Sequence, residues 1–100
     1  MNKEIETQVG RNVKAVREEA GMTQGTLAAK LQLCGCDITR SAVAKIEVGQ
    51  RHLYPDEILL IKEILDVSFD EIFYGPEEKE EEKEDGMEDN SEENTDSEWV

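Results

Sequence analysis

At 100 residues the chain has room for one small domain, and 37% hydrophobic beside 36% charged residues point to a packed part and a solvated part. A large enzyme with its own cofactor domain is excluded. The formal net charge of -14 would argue against a nucleic-acid partner if it were spread evenly, because phosphate repels a polyanion.

It is not spread evenly. Residues 76–100 hold 13 acidic and 2 basic side chains, net -11, and residues 1–75 are net only -3. Within that first part, residues 9–53 carry seven basic side chains (Arg11, Lys14, Arg17, Lys30, Arg40, Lys45, Arg51) against four acidic ones (Glu18, Glu19, Asp37, Glu47), net +3, and residues 54–75 are net -5. The first residues, Met1, Asn2, Lys3 and Glu4, are polar and no run of 18 apolar residues occurs. Neither a signal peptide nor a membrane span is expected, and the sequence reads as a cytoplasmic protein with no membrane partner. Cys34 and Cys36 are too close together to close a long loop, so the fold must rest on its hydrophobic core in a reducing compartment.

In chain order, Ile5, Val9, Val13, Val16 and Ala20 recur at spacings of three and four and trace the stripe of a first helix, which Gly21 stops. Thr23 is a fit N-cap for a second helix with Leu27, Ala28 and Leu31 inward, although no Glu or Gln follows three residues later to complete a capping box. Thr39 caps a third helix, Arg40 to Val48, with Val43 and Ile46 inward and Gly49 at its end. Pro55 suits the first turn of a fourth helix, followed by Asp56 and Glu57 where the dipole favours acids, with Ile58, Ile61 and Leu65 as its buried stripe. The sequence Ser68-Phe69-Asp70-Glu71 is a capping box, flanked by Val67 and Ile72 as a staple, and opens a short fifth helix ending near Tyr74 and Gly75. No segment alternates over strand length, so the domain, residues 1–75, is read as all-α. Residues 76–100 offer almost nothing aliphatic to bury and are read as a disordered acidic tail, with 77–83 able to form transient helix through Glu–Lys pairs.

Five short helices, the stretch Arg17-Glu18-Glu19-Ala20-Gly21-Met22-Thr23-Gln24, the pair Leu27-Ala28, the run Thr39-Arg40-Ser41-Ala42-Val43-Ala44-Lys45-Ile46-Glu47 with Gly49 after it, and Leu65-Asp66-Val67-Ser68 before Glu71-Ile72 together resemble the phage-repressor (Cro and cI, or XRE) helix-turn-helix family over roughly residues 9–73. The resemblance implies a compact five-helix, lambda-repressor-like DNA-binding domain whose third helix lies in the major groove while the second crosses the backbone. By position, Thr39, Arg40, Ser41 and Lys45 would face base edges, Arg40 foremost because its fork matches O6 and N7 of guanine. Thr23 and Gln24 at the start of the second helix, with Lys14, Arg51 and His52, would contact phosphates. Arg17 and Glu47 are implied to form a buried structural pair. The sequence departs from the family in its connection between Leu31 and Ile38, which holds six residues where about one is usual, and in having Leu53 where proline is common. The longer connection is expected to loosen the turn.

Cys34, Cys36 and His52 are too few for a zinc site, and no nucleophile, Gly-rich phosphate loop or zincin motif accompanies them. No metal, no cofactor and no catalysis are expected. The reading is a sequence-specific DNA-binding transcriptional regulator, a repressor, acting on double-stranded DNA as a homodimer on a palindromic operator, with Phe69, Ile72, Phe73 and Tyr74 as a dimer face unless the core takes Phe69 and Ile72. The rival is a protein-interaction adaptor, antitoxin-like or antirepressor-like, in which the acidic tail engages a protein partner. A 25-residue flexible chain has an r.m.s. reach of about 25–30 Å, so the tail can reach the recognition surface and weaken nonspecific DNA binding by competing for it.

Overall fold

The computed structural model describes residues 2–76. The expectations for the acidic tail, including the transient helix over 77–83, lie outside the described residues. Five helices follow one another: α1 (Lys3–Glu19), α2 (Gln24–Leu33), α3 (Arg40–Glu47), α4 (Pro55–Leu65) and α5 (Phe69–Tyr74). The all-α, five-helix reading holds among the described residues, and none of these helices is long and apolar enough to cross a membrane.

Each helix begins where a local signal stands. The side chains of Thr23, Thr39 and Ser68 accept from the backbone N–H three residues on, in Thr26, Ala42 and Glu71, the bond that satisfies one of the free donors of a first turn. Glu71 returns the bond to Ser68 N–H at 2.9 Å, closing the capping box. Helix α1 starts two residues before its apolar stripe because Asn2 caps it, accepting from Ile5 N–H. At α4, Tyr54 occupies the cap position and the Glu57 carboxylate receives its N–H at 3.0 Å.

The helix ends share one device. In α1, α2 and α3 a six-to-one bond, Met22 N–H to Arg17 O, Cys36 N–H to Leu31 O and Gln50 N–H to Lys45 O, closes over a left-handed glycine. In α4 the left-handed residue is Asp66, with φ of 57°. The long connection after α2 is therefore ordered rather than loose. The helix runs on to Leu33, Gly35 reverses the chain, and the Gln32 amide donates to Ile38 O at 2.8 Å. Ile38 is itself fully buried, which anchors the connection to the core before α3 begins.

The core is a single cluster that draws on every helix: Val9, Val13 and Val16 from α1; Leu27, Ala28 and Leu31 from α2; Val43 and Ile46 from α3; Ile61 and Leu65 from α4; Ile72 from α5. Ile58 is half-buried at its edge. Helix α1 packs on α3 and α5, while α2 packs on α3 and α4. The α1–α3 crossing is close enough that a Cβ at Gly10 would sit 2.3 Å from Ile46 O, so only glycine fits there. Buried Asn12 spans from α1 to the end of α5, its amide donating to Ile72 O at 2.8 Å and its Oδ1 accepting from the Gln8 amide. The bond ties α5 to α1.

Candidate nucleic-acid interface

Helix α3 has two chemically distinct faces. Its inner face, Val43, Ile46 and Glu47, is buried. Its outer face, Thr39, Arg40, Ser41 and Lys45, with Val48 at the end, is exposed. Arg40 and Lys45 have no hydrogen-bond or ion-pair partner among the described residues, while Thr39 is spent on the cap. The Arg40 stem passes Gly25, its Cδ lying 3.7 Å from where a Cβ would stand, so the start of α2 and the start of α3 border one surface.

The inner face is held by a charged knot at the junction of α1, α2 and α3. Arg17 donates from Nε to Glu47 Oε2 at 2.6 Å and from Nη2 to Glu47 Oε1 at 3.0 Å, a two-point fork, and from Nη1 to Met22 O at 2.7 Å. The Gln24 amide adds a third donor to Glu47 Oε1 at 2.9 Å. Both charged side chains are almost wholly buried, 7% and 1% exposed. Hydrogen bonding to Glu47 raises the guanidinium's already high pKa against the opposing effect of burial, so the pair stays charged and its multiple hydrogen bonds offset desolvation. Gln24, expected at a phosphate, is committed through one amide proton to this knot and keeps the other.

The loop from Gly49 to Tyr54 is organised by a second ion pair. Arg51 donates from Nη1 to Glu57 Oε1 at 2.9 Å and from Nη2 to Oε2 at 3.0 Å, and Nη1 also reaches His52 O at 2.8 Å. Its guanidinium lies 5.7 Å from the Tyr54 ring centre. Burial alone would raise the Glu57 carboxyl, but hydrogen bonds from Arg51 and from Tyr54 N–H outweigh it and hold the group below the usual glutamate range. His52 is exposed, with Nδ1 3.1 Å from Glu6 Oε1. Of the residues expected at phosphates, Thr23 is exposed at the α2 cap, Lys14 is exposed on α1 without a partner among the described residues, and Arg51 and His52 already have carboxylate neighbours.

The sequence reading missed Gly10, Asn12 and the Arg51–Glu57 pair. A glycine in mid-helix, costing about 1 kcal/mol relative to alanine, was the available signal for the first; the others rest on long-range contacts that leave no local pattern. No cluster of His, Cys, Asp and Glu among the described residues could hold a metal. Cys34 is exposed, and burial with nearby Glu57 and Asp56 raises the Cys36 thiol, which favours its unreactive protonated form.

A buried-faced helix with an exposed, cation-bearing outer face, preceded by a capped helix on the same surface, is the geometry of a helix-turn-helix DNA-binding domain. The chain belongs to the helix-turn-helix family HTH_3, whose model matches residues 13–72, a family of DNA-binding regulators rather than enzymes. Its fold is similar to the DNA-binding domain of BldD, with a TM-score of 0.62 at 20% identity over 73% of this chain and 99% of that one. It is also similar to the restriction-modification controller protein C.AhdI from Aeromonas hydrophila, with a TM-score of 0.57 at 33% identity over 67% of this chain and 94% of that one. No curated protein sequence matches the chain.

Proposed function

We propose that the chain is a sequence-specific transcriptional repressor in the cytoplasm, with residues 1–75 as its DNA-binding unit and 76–100 as an appended acidic segment. The observation that carries this is the outer face of α3: Arg40, Ser41 and Lys45 are exposed while Val43, Ile46 and Glu47 lock the opposite face. In the major groove Arg40 reads guanine O6 and N7 through its fork, and Ser41 and Lys45 read the neighbouring edges. Thr39 lies at the entry of the helix, where its hydroxyl, shared with the cap, approaches the first base. Thr23, the free amide proton of Gln24 and Lys14 contact phosphates on one flank. Arg51 contributes on the other chiefly by shaping the loop through Glu57, and His52 reaches a phosphate from its exposed edge. Likeness to a controller protein at 33% identity supports a regulatory role over a purely architectural one.

A single domain of this size buries a modest interface on DNA, so the working unit is a homodimer on a palindrome with half-sites about one helical turn apart. Leu59, Phe69 and Tyr74 are exposed on α4 and α5 and supply the dimer face; Ile72 is wholly buried and belongs to the core. The test is selection of the full-length protein against a random duplex pool, followed by binding of the winner across a salt series. An enriched palindrome with affinity falling steeply as salt rises is the expected result. Failure to enrich any sequence would overturn the reading and favour a protein-interaction role.

A further inference from the structure

A partly open apolar groove of about 160 Å³ lies on the side of the domain next to the α3–α4 loop. Ile5 and Val9 of α1, Ile46 of α3, Leu53 of the loop, Ile58 of α4 and Phe73 of α5 line it. Its rim carries His52 and Glu6. The Glu6 carboxylate spends Oε1 on His52, and its Oε2 is the one buried side-chain oxygen among the described residues with no hydrogen-bond partner. An apolar slot beside an unsatisfied carboxylate oxygen suits an aromatic ring that carries an N–H donor and rejects an anion. For scale, an enclosed cavity of about 150 Å³ takes up benzene.

The chain itself contains one such group within reach. Residues 77–98 include 13 acidic and 2 basic side chains, with Met87 as their one bulky apolar residue, and the sole tryptophan, Trp99, follows. Phe73, which lines the groove, lies three residues before Pro76, where the described chain ends. The 22 residues between Pro76 and Trp99 can span up to about 75 Å when fully extended, so Trp99 can return to the groove beside which the segment starts. We propose that Trp99 seats in this groove, its indole N–H donating to Glu6, and so holds the acidic residues 77–98 across the cations that face DNA. The acidic stretch is then an intramolecular competitor for phosphate. The effect on DNA rests on the function proposed above; the docking does not.

Effective concentrations within a tethered chain are of the order of millimolar, so an intrinsic dissociation constant of about 0.1–0.5 mM for ring and groove leaves about a tenth to a third of molecules open. DNA affinity falls by the fraction left open. The experiment uses the full-length chain and the fluorescence of its single tryptophan. Native protein is expected to show emission shifted to the blue of N-acetyltryptophanamide, shielded from iodide and acrylamide, and independent of protein concentration. Ile5→Glu, at an exposed position on the groove wall, is expected to return emission and quenching to those of the free indole while the thermal melt stays in place. Both Ile5→Glu and Trp99→Ser are expected to bind duplex DNA at low salt about three- to tenfold more tightly than native protein. Solvent-exposed emission in the native chain, or shielding that Ile5→Glu leaves intact, would overturn the docking. Shielding that grows with protein concentration would overturn it in favour of a second copy filling the groove. Concentration-independent shielding that Ile5→Glu abolishes, in a protein that binds no DNA in any variant, would uphold the docking and contradict the proposed function.

Discussion

Two ion pairs bracket α3, and they differ in what they hold. Arg17–Glu47 sits behind the helix, buried on both sides and joined by Gln24 and Met22 O; Arg51–Glu57 lies after it, with Arg51 28% and Glu57 8% exposed. The first fixes α3 against α1 and the start of α2, which sets the orientation of the outer face. The second ties the loop to the first turn of α4. Burial and the number of hydrogen bonds make the first a structural determinant of the whole interface. The wetter pair is a local brace whose worth depends on pH and salt.

The comparison predicts a graded series. Glu47→Ala leaves the Arg17 charge buried without its partner and should cost about 3–5 kcal/mol, seen as a fall in melting temperature of tens of degrees or as loss of the folded state in circular dichroism. Gly10→Ala presses a methyl on Ile46 O at the same junction and should cost about 1–3 kcal/mol, the range for overpacking. A cost below about 0.5 kcal/mol in denaturant titration would mean that α1 and α3 can slide apart. Arg51→Ala removes charged hydrogen bonds from a partly solvated site and should cost about 1–2 kcal/mol after allowance for screening.

Acid sharpens the contrast further. Because the folded Glu57 carboxyl lies below its ordinary value, its contribution is fully present above the unfolded value of about 4.3 and is lost as pH falls through the lowered folded value. The gap in melting temperature between native protein and Glu57→Gln should therefore be open at pH 7 and shrink as the pH falls well below 4. A gap that stays constant over that range would remove the charged Arg51–Glu57 bond from the account. Asp66→Gly, which relieves a left-handed backbone at the end of α4, should raise stability by about 0.5–1 kcal/mol without changing either response.

Local chemistry explains why the helices were legible. Thr23, Thr39 and Ser68 cap where the sequence places them, and the stripes Val9-Val13-Val16, Leu27-Ala28-Leu31 and Val43-Ile46 face inward, because capping and periodicity depend on neighbours a few residues away. By count alone the six residues after Leu31 suggest a loosened turn; Gly35 and the Gln32 amide turn them into a closed helix end, a result that depends on Ile38 finding a place in the core. The candidate site was legible only in part. Exposure of Arg40, Ser41 and Lys45 follows from the positions of Val43 and Ile46 on the same helix. The commitments of Gln24 to Glu47, Arg51 to Glu57 and His52 to Glu6 join residues 6 to 46 positions apart, and no spacing along the chain announces them.

The central claim is that α3 is divided, its inner face structural and its outer face free to read DNA. Arg40→Ala measures this most directly when melting temperature and affinity for the selected operator are determined on the same preparation. The account predicts an unchanged melt, affinity lower by about 1–3 kcal/mol and relaxed preference at one base pair of each half-site. Unchanged affinity with an unchanged melt would contradict it, because an exposed, unpartnered cation at the start of the helix would then have no part in recognition.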